Sequence, residues 1–212
     1  INAERNPMLG GNIGVPFSHN VLNEIKGDIK EGIHILELSS FQLEQTNEIS
    51  LDIGCILNIS EDHLDRYTNY EDYINAKLKI ISLIKPNGNL IYNNEDDILK
   101  VRIDDCRAIG FHSSDSSKII INKDSVPLKG NHNYSNIAAA LAISLKYSID
   151  DEIFLRSIKE FTPLPHRLEF IKEIKGVSIY NDSKATNIKS MIAAIESFKD
   201  EVIIVGGLDK GD

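Results

Sequence analysis

Short apolar runs alternate with stretches of helical periodicity along the whole chain. The runs that have the length of buried strands cover residues 33–38, 53–59, 89–92, 119–121, 177–180 and 202–205. Apolar residues recur at intervals of three and four, which predicts helices, over residues 15–25, 69–84, 131–147, 151–161 and 187–198. Strand–helix alternation of this kind predicts an α/β fold with a largely parallel sheet flanked by helices.

A proline-containing segment divides this pattern into two parts. Residues 162–165 include two prolines, which stop the preceding helix and stiffen the connection that follows. Beyond it, two strand-like runs, 168–174 and 177–180, are separated by a turn at Lys175-Gly176. We therefore expect a first domain over residues 1–162 and the beginning of a second α/β domain over residues 163–212.

Composition narrows the classes of partner. The chain has 23 Lys and Arg against 32 Asp and Glu, a formal net charge of -9, and no Lys/Arg-rich block, which disfavours nucleic-acid binding. No apolar run approaches the roughly 20 residues of a membrane-spanning helix, so no membrane contact is predicted. Cys55 and Cys106 are the only cysteines. Two lone thiols form neither a disulfide framework nor a metal knuckle, and a reducing cytoplasm fits them best.

Ionisable residues follow two predicted strands, where a parallel sheet gathers its sites. Glu37 stands at the carboxyl end of the 33–38 strand, and a carboxylate there suits Mg²⁺, which binds one or two carboxylates together with substrate phosphates. The alternative is a solvated Glu37 beside a helix cap at Ser39-Ser40. The run 61–65, which contains His63, follows the 53–59 strand. It is either a metal or acid–base site or a polar loop.

Lys77 lies on the apolar face of the predicted 69–84 helix, which a capping-box pattern at 68–71 opens. An inward-pointing lysine is unfavourable unless it is paired or modified, and burial raises the neutral, nucleophilic fraction of its amine. The alternative is a side chain whose stem is buried and whose ammonium reaches water.

Polar groups also occupy the beginnings of further predicted helices. Asn133 and Asn136 share a face in the first turn of the 131–147 helix, where free backbone N–H groups favour a polar or anionic ligand. The alternative is a pair of solvated amides at a helix cap. A charged turn at 182–187 follows the 177–180 strand, and a glycine-rich run at 206–211, otherwise a flexible loop, follows the 202–205 strand.

Two phosphate-binding patterns are not expected from the sequence. The chain contains no G-x-x-x-x-G-K-[ST] loop, so it lacks a phosphate cradle of that kind. The glycines of residues 10–14 are not expected to form a dinucleotide fingerprint, because no strand is predicted to lead into them.

Eight short motifs, in order along nearly the whole chain, resemble those of the bacterial Mur ligases. They are Gly-Asn-Ile-Gly at 11–14, Glu-Leu-Ser-Ser-Phe-Gln-Leu-Glu at 37–44, Leu-Asn at 57–58 with Glu-Asp-His-Leu-Asp-Arg-Tyr at 61–67, Ala-Lys-Leu at 76–78, Gly-Asn-His-Asn-Tyr-Ser-Asn at 130–136, Leu-Pro-His-Arg-Leu-Glu at 164–169, the run 181–187, and Gly-Gly at 206–207 with Lys210. The motifs Ser-Ser-Phe-Gln-Leu-Glu and Leu-Pro-His-Arg are most similar to the branch of this family that adds D-glutamate.

The resemblance implies a domain organisation and a reaction. Residues 1–162 would be the central ATP-binding domain without its phosphate loop, and residues 163–212 the first, Rossmann-like part of a C-terminal amino-acid-binding domain. The implied reaction is ligation of D-glutamate to UDP-N-acetylmuramoyl-L-alanine through an acyl phosphate, with ADP as product, during cytoplasmic peptidoglycan synthesis. The full-length enzyme is expected to be a monomer, and the chain alone is expected to be inactive.

The resemblance also assigns residues to roles. Glu37 would bind a Mg²⁺ at the phosphates of ATP, while His63 and Lys77, the latter as a carbamate formed with CO₂, would hold a second Mg²⁺. The residues with implied catalytic roles are His63, Lys77 and Lys184. Those implied to bind the nucleotide are Asn133, Asn136, Arg167 and Asp182. Those implied to bind the other substrates are Asn12, Ser39, Gln42, Thr186 and Lys210.

Other interpretations stay open from the sequence. One is a sibling Mur ligase that adds another amino acid, and another is a ligase similar to folylpolyglutamate synthases. A third is a nucleotide-binding scaffold without catalysis, which the joint presence of Glu37, His63, Lys77 and Lys184 disfavours. The motif around Lys210 reads Gly-Gly-Leu-Asp-Lys-Gly where the family usually has Gly-Gly-x-Gly-Lys, which leaves the placement of Lys210 open.

Overall fold

Parallel strand pairing organises the first part of the chain. The computed structural model describes residues 6–28, 32–61, 66–120, 126–128, 130–185, 188–198 and 200–206. Strand β1 (Pro7–Gly11) pairs in parallel with β2 (Ile33–Glu37), and helix α1 (Phe17–Lys26) connects them. Strands β3 (Leu51–Ile56), β4 (Ile84–Asn93) and β5 (Ala108–Phe111) form a second parallel sheet in that order. The predicted α/β class with parallel sheets is confirmed.

Helices cover both faces of β4, the central strand of the second sheet. Successive side chains of a strand point to opposite faces. Leu90 and Ile91, both fully buried, accordingly lie in two different apolar clusters. The Leu90 cluster contains residues of α3 (Tyr70–Leu78) and α4 (Asp97–Arg102), and the Ile91 cluster contains residues of α5 (Asn131–Lys146). A third cluster packs α5 against α6 (Asp151–Lys159).

The part after the prolines is a hairpin and a helix. Strands β6 (Glu169–Ile174) and β7 (Val177–Asn181) pair antiparallel, as the sequence predicts. Lys175 and Gly176 have φ angles of 50° and 80°, which is the backbone of a two-residue hairpin turn. Helix α7 (Ile188–Ile195) follows. The predicted division into two domains remains a proposal.

Two predicted strands are absent. Residues 113–118 form a 3₁₀ helix, and Ile119 and Ile120 after it are not in a strand; Ile121 lies outside the described residues. Glu201–Gly206 have no regular structure, so the strand predicted at 202–205 is also wrong. Both runs have apolar, β-branched residues, but no neighbouring strand among the described residues supplies hydrogen bonds to them.

Several helix and strand boundaries differ from the prediction. The helix predicted at 69–84 ends at Leu78, continues as a 3₁₀ helix over Lys79–Leu83, and gives way to β4. Strand β1 was missed and does lead into the glycines of residues 10–14, so the reason for expecting no dinucleotide fingerprint there was wrong. Its sequence, Pro-Met-Leu-Gly-Gly, has low strand propensity. The other elements that the pattern missed are α2 (Ser40–Gln45), α4 and β5.

Neither cysteine is in a disulfide, and burial raises the pKa of the Cys55 thiol to about 12.

Among the helices that the described residues form, none has the length and apolar character needed to cross a membrane.

Arg107 ties the beginnings of β4 and β5 together. Its Nη1 donates to the carbonyl oxygens of Ile84 at 2.9 Å and Lys85 at 3.2 Å. Its Nε and Nη2 donate to the two carboxylate oxygens of Asp105 at 2.9 and 2.6 Å. The side-chain hydrogen bonds from Arg107, followed by the bond from its backbone N–H, lower the pKa of Asp105 from 3.8 to about 2.

This pair makes stability depend on pH in the acid range. A carboxyl group whose pKa is lower in the folded state stabilises the fold above its unfolded pKa and stops doing so as the pH falls through the folded value. We expect Asp105→Asn to reduce the free energy of unfolding at about pH 6 and the deficit to shrink as the pH falls from about 4 towards 2. Urea unfolding across this range measures it. Asp104→Asn, at the exposed neighbouring carboxylate, is the control. A deficit for Asp105→Asn that stays constant with pH would contradict the mechanism.

Candidate active site

The carboxyl ends of β1 and β2 bring Asn12 and Glu37 together. The backbone N–H of Asn12 donates to the carbonyl oxygen of Glu37 at 2.8 Å. Gly11, the residue before Asn12, is paired in register with Glu37 and has a φ of 106°. A Cβ at this position would overlap the Glu37 carbonyl oxygen. Only glycine allows both this backbone angle and this approach. Both side chains, Asn12 and Glu37, are exposed and leave the sheet at the same edge.

The Glu37 carboxylate fits a hard divalent cation. Among the described residues it makes no hydrogen bond or ion pair. The described residues contain no group of three or more His, Cys, Asp or Glu residues that could hold a metal ion. A site with one protein carboxylate suits Mg²⁺, which usually keeps several waters and takes substrate phosphates as further ligands.

Ser39 and Gln42 form the cap of helix α2. The Gln42 backbone N–H donates to Ser39 Oγ at 3.3 Å, while Gln42 Oε1 accepts from the Ser39 backbone N–H at 3.0 Å and from its hydroxyl at 3.3 Å. This reciprocal arrangement is a capping box. The structure therefore bears out the alternative of a helix cap at this motif, and substrate contact by these two residues stays a prediction.

An open cleft of about 540 Å³ adjoins this cap. Its lining is mostly apolar and includes Phe17, Leu38 and Phe41, with the Gln42 amide among the polar groups. The guanidinium of Arg66 stands 4.3 Å from the centre of the Phe41 ring and also lines the cleft. Arg66 belongs to one of the eight motifs, but its residue type and spacing predicted no role for it. A cleft of this kind suits a ligand that has both an apolar portion and an anionic or polar one.

Lys77 is half-buried on α3 rather than fully inward. Its Nζ lies 5.2 Å from the ring centre of Tyr73, a buried residue one turn earlier, so the ammonium and the ring attract each other. The helix begins one residue later than the capping-box pattern predicts, because the Asn69 side chain accepts from the Asp72 N–H at 2.9 Å. Glu71, the acidic residue of the predicted box, instead pairs with Arg102.

The amide pair, Asn133 and Asn136, lies at the first turn of α5 as predicted. The Asn136 Nδ2–H donates to Asn133 Oδ1 at 3.4 Å, so the two residues share a face. The helix is capped by Gly130, whose φ is 90°, without a side-chain hydrogen bond. The positive end of the helix dipole is thus next to the amide pair, which favours a polar or anionic ligand there.

Arg167 and Asp182 approach this helix end from the second part of the chain. Asp182 is half-buried and accepts at 3.0 Å from the backbone N–H of Leu168, the residue that follows Arg167. Desolvation lowers the pKa of His132, in the first turn of α5; Asp182 opposes the shift and Arg167 adds to it. Both charged groups are therefore within electrostatic range of His132 in the first turn of α5, and the joint nucleotide site of Arg167, Asp182 and the amide pair stays a prediction.

Of the remaining predicted site residues, only Lys184 is among the described residues. Lys184 is exposed after β7, and its backbone N–H donates to the His166 carbonyl oxygen at 3.1 Å. His63, Thr186 and Lys210 lie outside the described residues.

Residues 12–144 match the family model described as the Mur ligase middle domain. The chain belongs to the Mur ligase family. This family consists of ATP-dependent ligases. The match covers more than half of the chain and contains Asn12, Glu37, Lys77 and the amide pair.

Curated relatives extend the similarity over nearly the whole chain. The UDP-N-acetylmuramoylalanine–D-glutamate ligase of Cytophaga hutchinsonii is 36% identical over 96% of this chain and 50% of its own length. The ligase of the same name from Clostridioides difficile is 36% identical over 99% of this chain and 50% of its own. The chain thus spans about half the length of the curated relatives it matches.

Solved structures share the fold. The MurF ligase of Thermotoga maritima, solved in complex with ADP, superposes with a TM-score of 0.68 at 16% identity, over 92% of this chain and 52% of its own. A pseudomurein peptide ligase from Methanothermus fervidus gives a TM-score of 0.61 at 17% identity, over 94% of this chain and 57% of its own. At these identities the likeness shows the fold of the Mur ligases.

Substitution of Gly11 should disturb the Asn12–Glu37 edge. A side chain at Gly11 would have to push β1 away from the Glu37 backbone, and the left-handed backbone adds about 1–2 kcal/mol. Gly14→Ala is the matched control, because its φ is also positive at 71° but its nearest neighbours are 3.5 Å away. We expect Gly11→Ala to lower the free energy of unfolding, measured by urea denaturation, more than Gly14→Ala does. In the full-length protein, Gly11→Ala should also lower ATP-dependent turnover about ten-fold or more relative to Gly14→Ala. Equal effects of the two substitutions would show that the backbone approach has no role.

Proposed function

We propose that this chain is part of a ligase that joins D-glutamate to UDP-N-acetylmuramoyl-L-alanine at the expense of ATP, forming ADP and phosphate, in peptidoglycan synthesis. One observation carries the proposal. Curated relatives at 32–36% identity, aligned over 96–99% of this chain, bear the name of that ligase. The exposed Glu37 carboxylate and the amide pair beside Arg167 and Asp182 support it, because a phosphoryl-transfer site needs such groups.

The proposed chemistry has two steps. The L-alanyl carboxylate of the first substrate attacks the γ-phosphorus of ATP, which forms an acyl phosphate and releases ADP. The amine of D-glutamate then attacks the acyl carbon, the new amide bond forms, and phosphate leaves. Positioning and neutralisation of charge supply most of the rate in such reactions.

The residues of this chain divide between the nucleotide and the other substrates. Asn133, Asn136, Arg167 and Asp182 bind and orient the nucleotide. Glu37 would hold Mg²⁺, which would neutralise phosphate charge when bound. Asn12, Ser39 and Gln42 contact the muramoyl-alanine substrate, and the apolar cleft beside them accommodates part of it. His63, Lys184, Thr186 and Lys210 are assigned to a second Mg²⁺, D-glutamate and phosphates by resemblance to the family.

Lys77 is proposed to act as a carbamate. Its neutral amine would add CO₂ and lose a proton, which replaces a half-buried cation with an anionic oxygen ligand for the second Mg²⁺. The attraction between the ammonium and the Tyr73 ring would be lost in this form, and coordination of the metal would compensate.

The setting follows from the reaction. We place the enzyme in the cytoplasm, where its nucleotide substrates are. We expect the full-length enzyme to be a monomer. A sibling ligase for another amino acid is the main alternative, and a scaffold that binds nucleotide without catalysis is the alternative from another class. The name shared by the relatives favours D-glutamate over other amino acids.

Amino-acid selectivity tests the proposed function. The full-length ligase with ATP, Mg²⁺ and UDP-N-acetylmuramoyl-L-alanine should release phosphate and ADP, not AMP, only when D-glutamate is added. Coupled phosphate release is the measurement, with L-lysine, meso-diaminopimelate and L-glutamate as comparison substrates. Turnover with L-lysine or diaminopimelate and none with D-glutamate would assign the chain to a sibling ligase. ATP binding without turnover on any amino acid would favour the scaffold.

Replacement of Lys77 tests its proposed modification. Lys77→Ala in the full-length ligase should lower turnover by about 10³-fold or more while the circular dichroism spectrum stays unchanged, since a charge-stabilising group is removed. Added short carboxylic acids should restore part of the activity, because a small carboxylate fits the space of the carbamate. Lys100→Ala, at an exposed lysine of α4, is the control and should leave turnover unchanged. Wild-type turnover in Lys77→Ala would refute the assignment.

A further inference from the structure

We infer that Gly130 is a positioning residue of the nucleotide site: its lack of a side chain lets the end of α7 seat against the start of α5, and this contact sets where Arg167 and Asp182 stand relative to the amide pair. The inference rests on the nucleotide site proposed above. It concerns a residue that makes no contact with the nucleotide in that proposal and acts through its neighbours.

The space beside Gly130 is filled from two sides. A Cβ at this position would overlap the hydroxyl oxygen of Ser197 and lie 2.8 Å from Cε1 and 3.0 Å from Nδ1 of His132. Carbon atoms do not approach other heavy atoms so closely without displacing them. The backbone adds a second reason for glycine, because its φ of 90° and ψ of 149° form a combination that residues with a side chain strongly disfavour.

Movement of the Ser197 side chain away from Gly130 would break a hydrogen bond. Its Oγ donates to the carbonyl oxygen of Ala193 at 2.7 Å, so rotation of the hydroxyl away from Gly130 would break that bond. The contact between the two parts of the chain is therefore set by groups that are themselves held in place.

A short path of contacts connects Ser197 to the charged pair. Phe198, the next residue, packs its ring on that of Tyr180 in β7, with 4.5 Å between the ring centres. Asp182 follows Tyr180 by two residues and accepts a hydrogen bond from the backbone N–H of Leu168, the residue after Arg167. A displacement at Ser197 would consequently pass through this ring contact to β7 and to Asp182.

The electrostatics of His132 agree with this arrangement. The residue is two positions after Gly130, and both Arg167 and Asp182 act on its pKa. The contact at Gly130 is thus adjacent to the charges whose position it would control.

Substitution of two glycines with similar φ angles compares the close contact at Gly130 with an open position. Gly130→Ala in the full-length ligase should weaken binding of ADP with Mg²⁺ and lower turnover, each by about ten- to a hundred-fold, since a misplacement of about 1 Å has effects of this size. Gly176→Ala is the control: its φ is 80°, it is in the β6–β7 turn, and no neighbour lies within 4 Å of the added Cβ. It should bind ADP as the wild type does. Calorimetric titration measures binding, and thermal unfolding measures stability in parallel.

A second substitution tests whether Ser197 is the partner. Gly130→Ala combined with Ser197→Ala removes the hydroxyl that the new Cβ would meet and should recover part of the lost affinity, while the approach to His132 and the backbone strain remain. Affinity of Gly130→Ala equal to that of Gly176→Ala would overturn the inference, and so would failure of the double variant to recover. If the wild-type ligase binds no adenine nucleotide, the proposed function fails instead, and that result is recognisable before any variant is made.

Discussion

Strands paired in parallel all leave a sheet at the same edge, and the arrangement of polar groups in this chain depends on that constraint. Asn12 and Glu37 meet because β1 and β2 end side by side, with the N–H of one residue bonded to the carbonyl of the other. The second sheet is held in the same way. Asp96 lies just after β4, and one of its carboxylate oxygens caps α4. Its other carboxylate oxygen accepts a hydrogen bond from the backbone N–H of Ile59, in the segment after β3. Strand pairing therefore fixes the edge, and side chains stiffen the loops that leave it.

A binding edge must be rigid and also leave room for ligands. At Gly11 the chain achieves both by omitting a side chain where two backbones approach closely. At α2 the Ser39 and Gln42 side chains satisfy backbone groups of the helix end, so the loop is fixed without filling the cleft in front of it. The exposed Glu37 carboxylate is the contrasting case, since within the described part of the chain no protein group neutralises it. A carboxylate held at a fixed edge is what a metal–nucleotide complex requires.

The sequence predicted best what periodicity and local chemistry determine. The long helix α5 and the β6–β7 hairpin agree with prediction because strong apolar patterns and a Lys-Gly turn specify them locally. Strand β1 was missed because Pro-Met-Leu-Gly-Gly has no β-type pattern; it is a strand because β2 supplies its hydrogen bonds. The run 202–205 has the opposite character, with strand-like residues but no partner strand among the described residues. Strand formation depends on pairing partners, which a single run of residues cannot reveal.

The candidate nucleotide site shows a further limit of the same kind. The amide pair was predicted to share a face because residues three apart do so on any helix. That Arg167 and Asp182 act on His132, in the same helix turn, from beyond the two prolines follows from tertiary packing, which no spacing encodes. A ligand held between groups from both parts of the chain would bind most tightly to the arrangement in which those groups are correctly placed. The free energy of such binding would accordingly stabilise one placement of the second part against α5, and so link the chemistry of the site to the packing at the start of that helix.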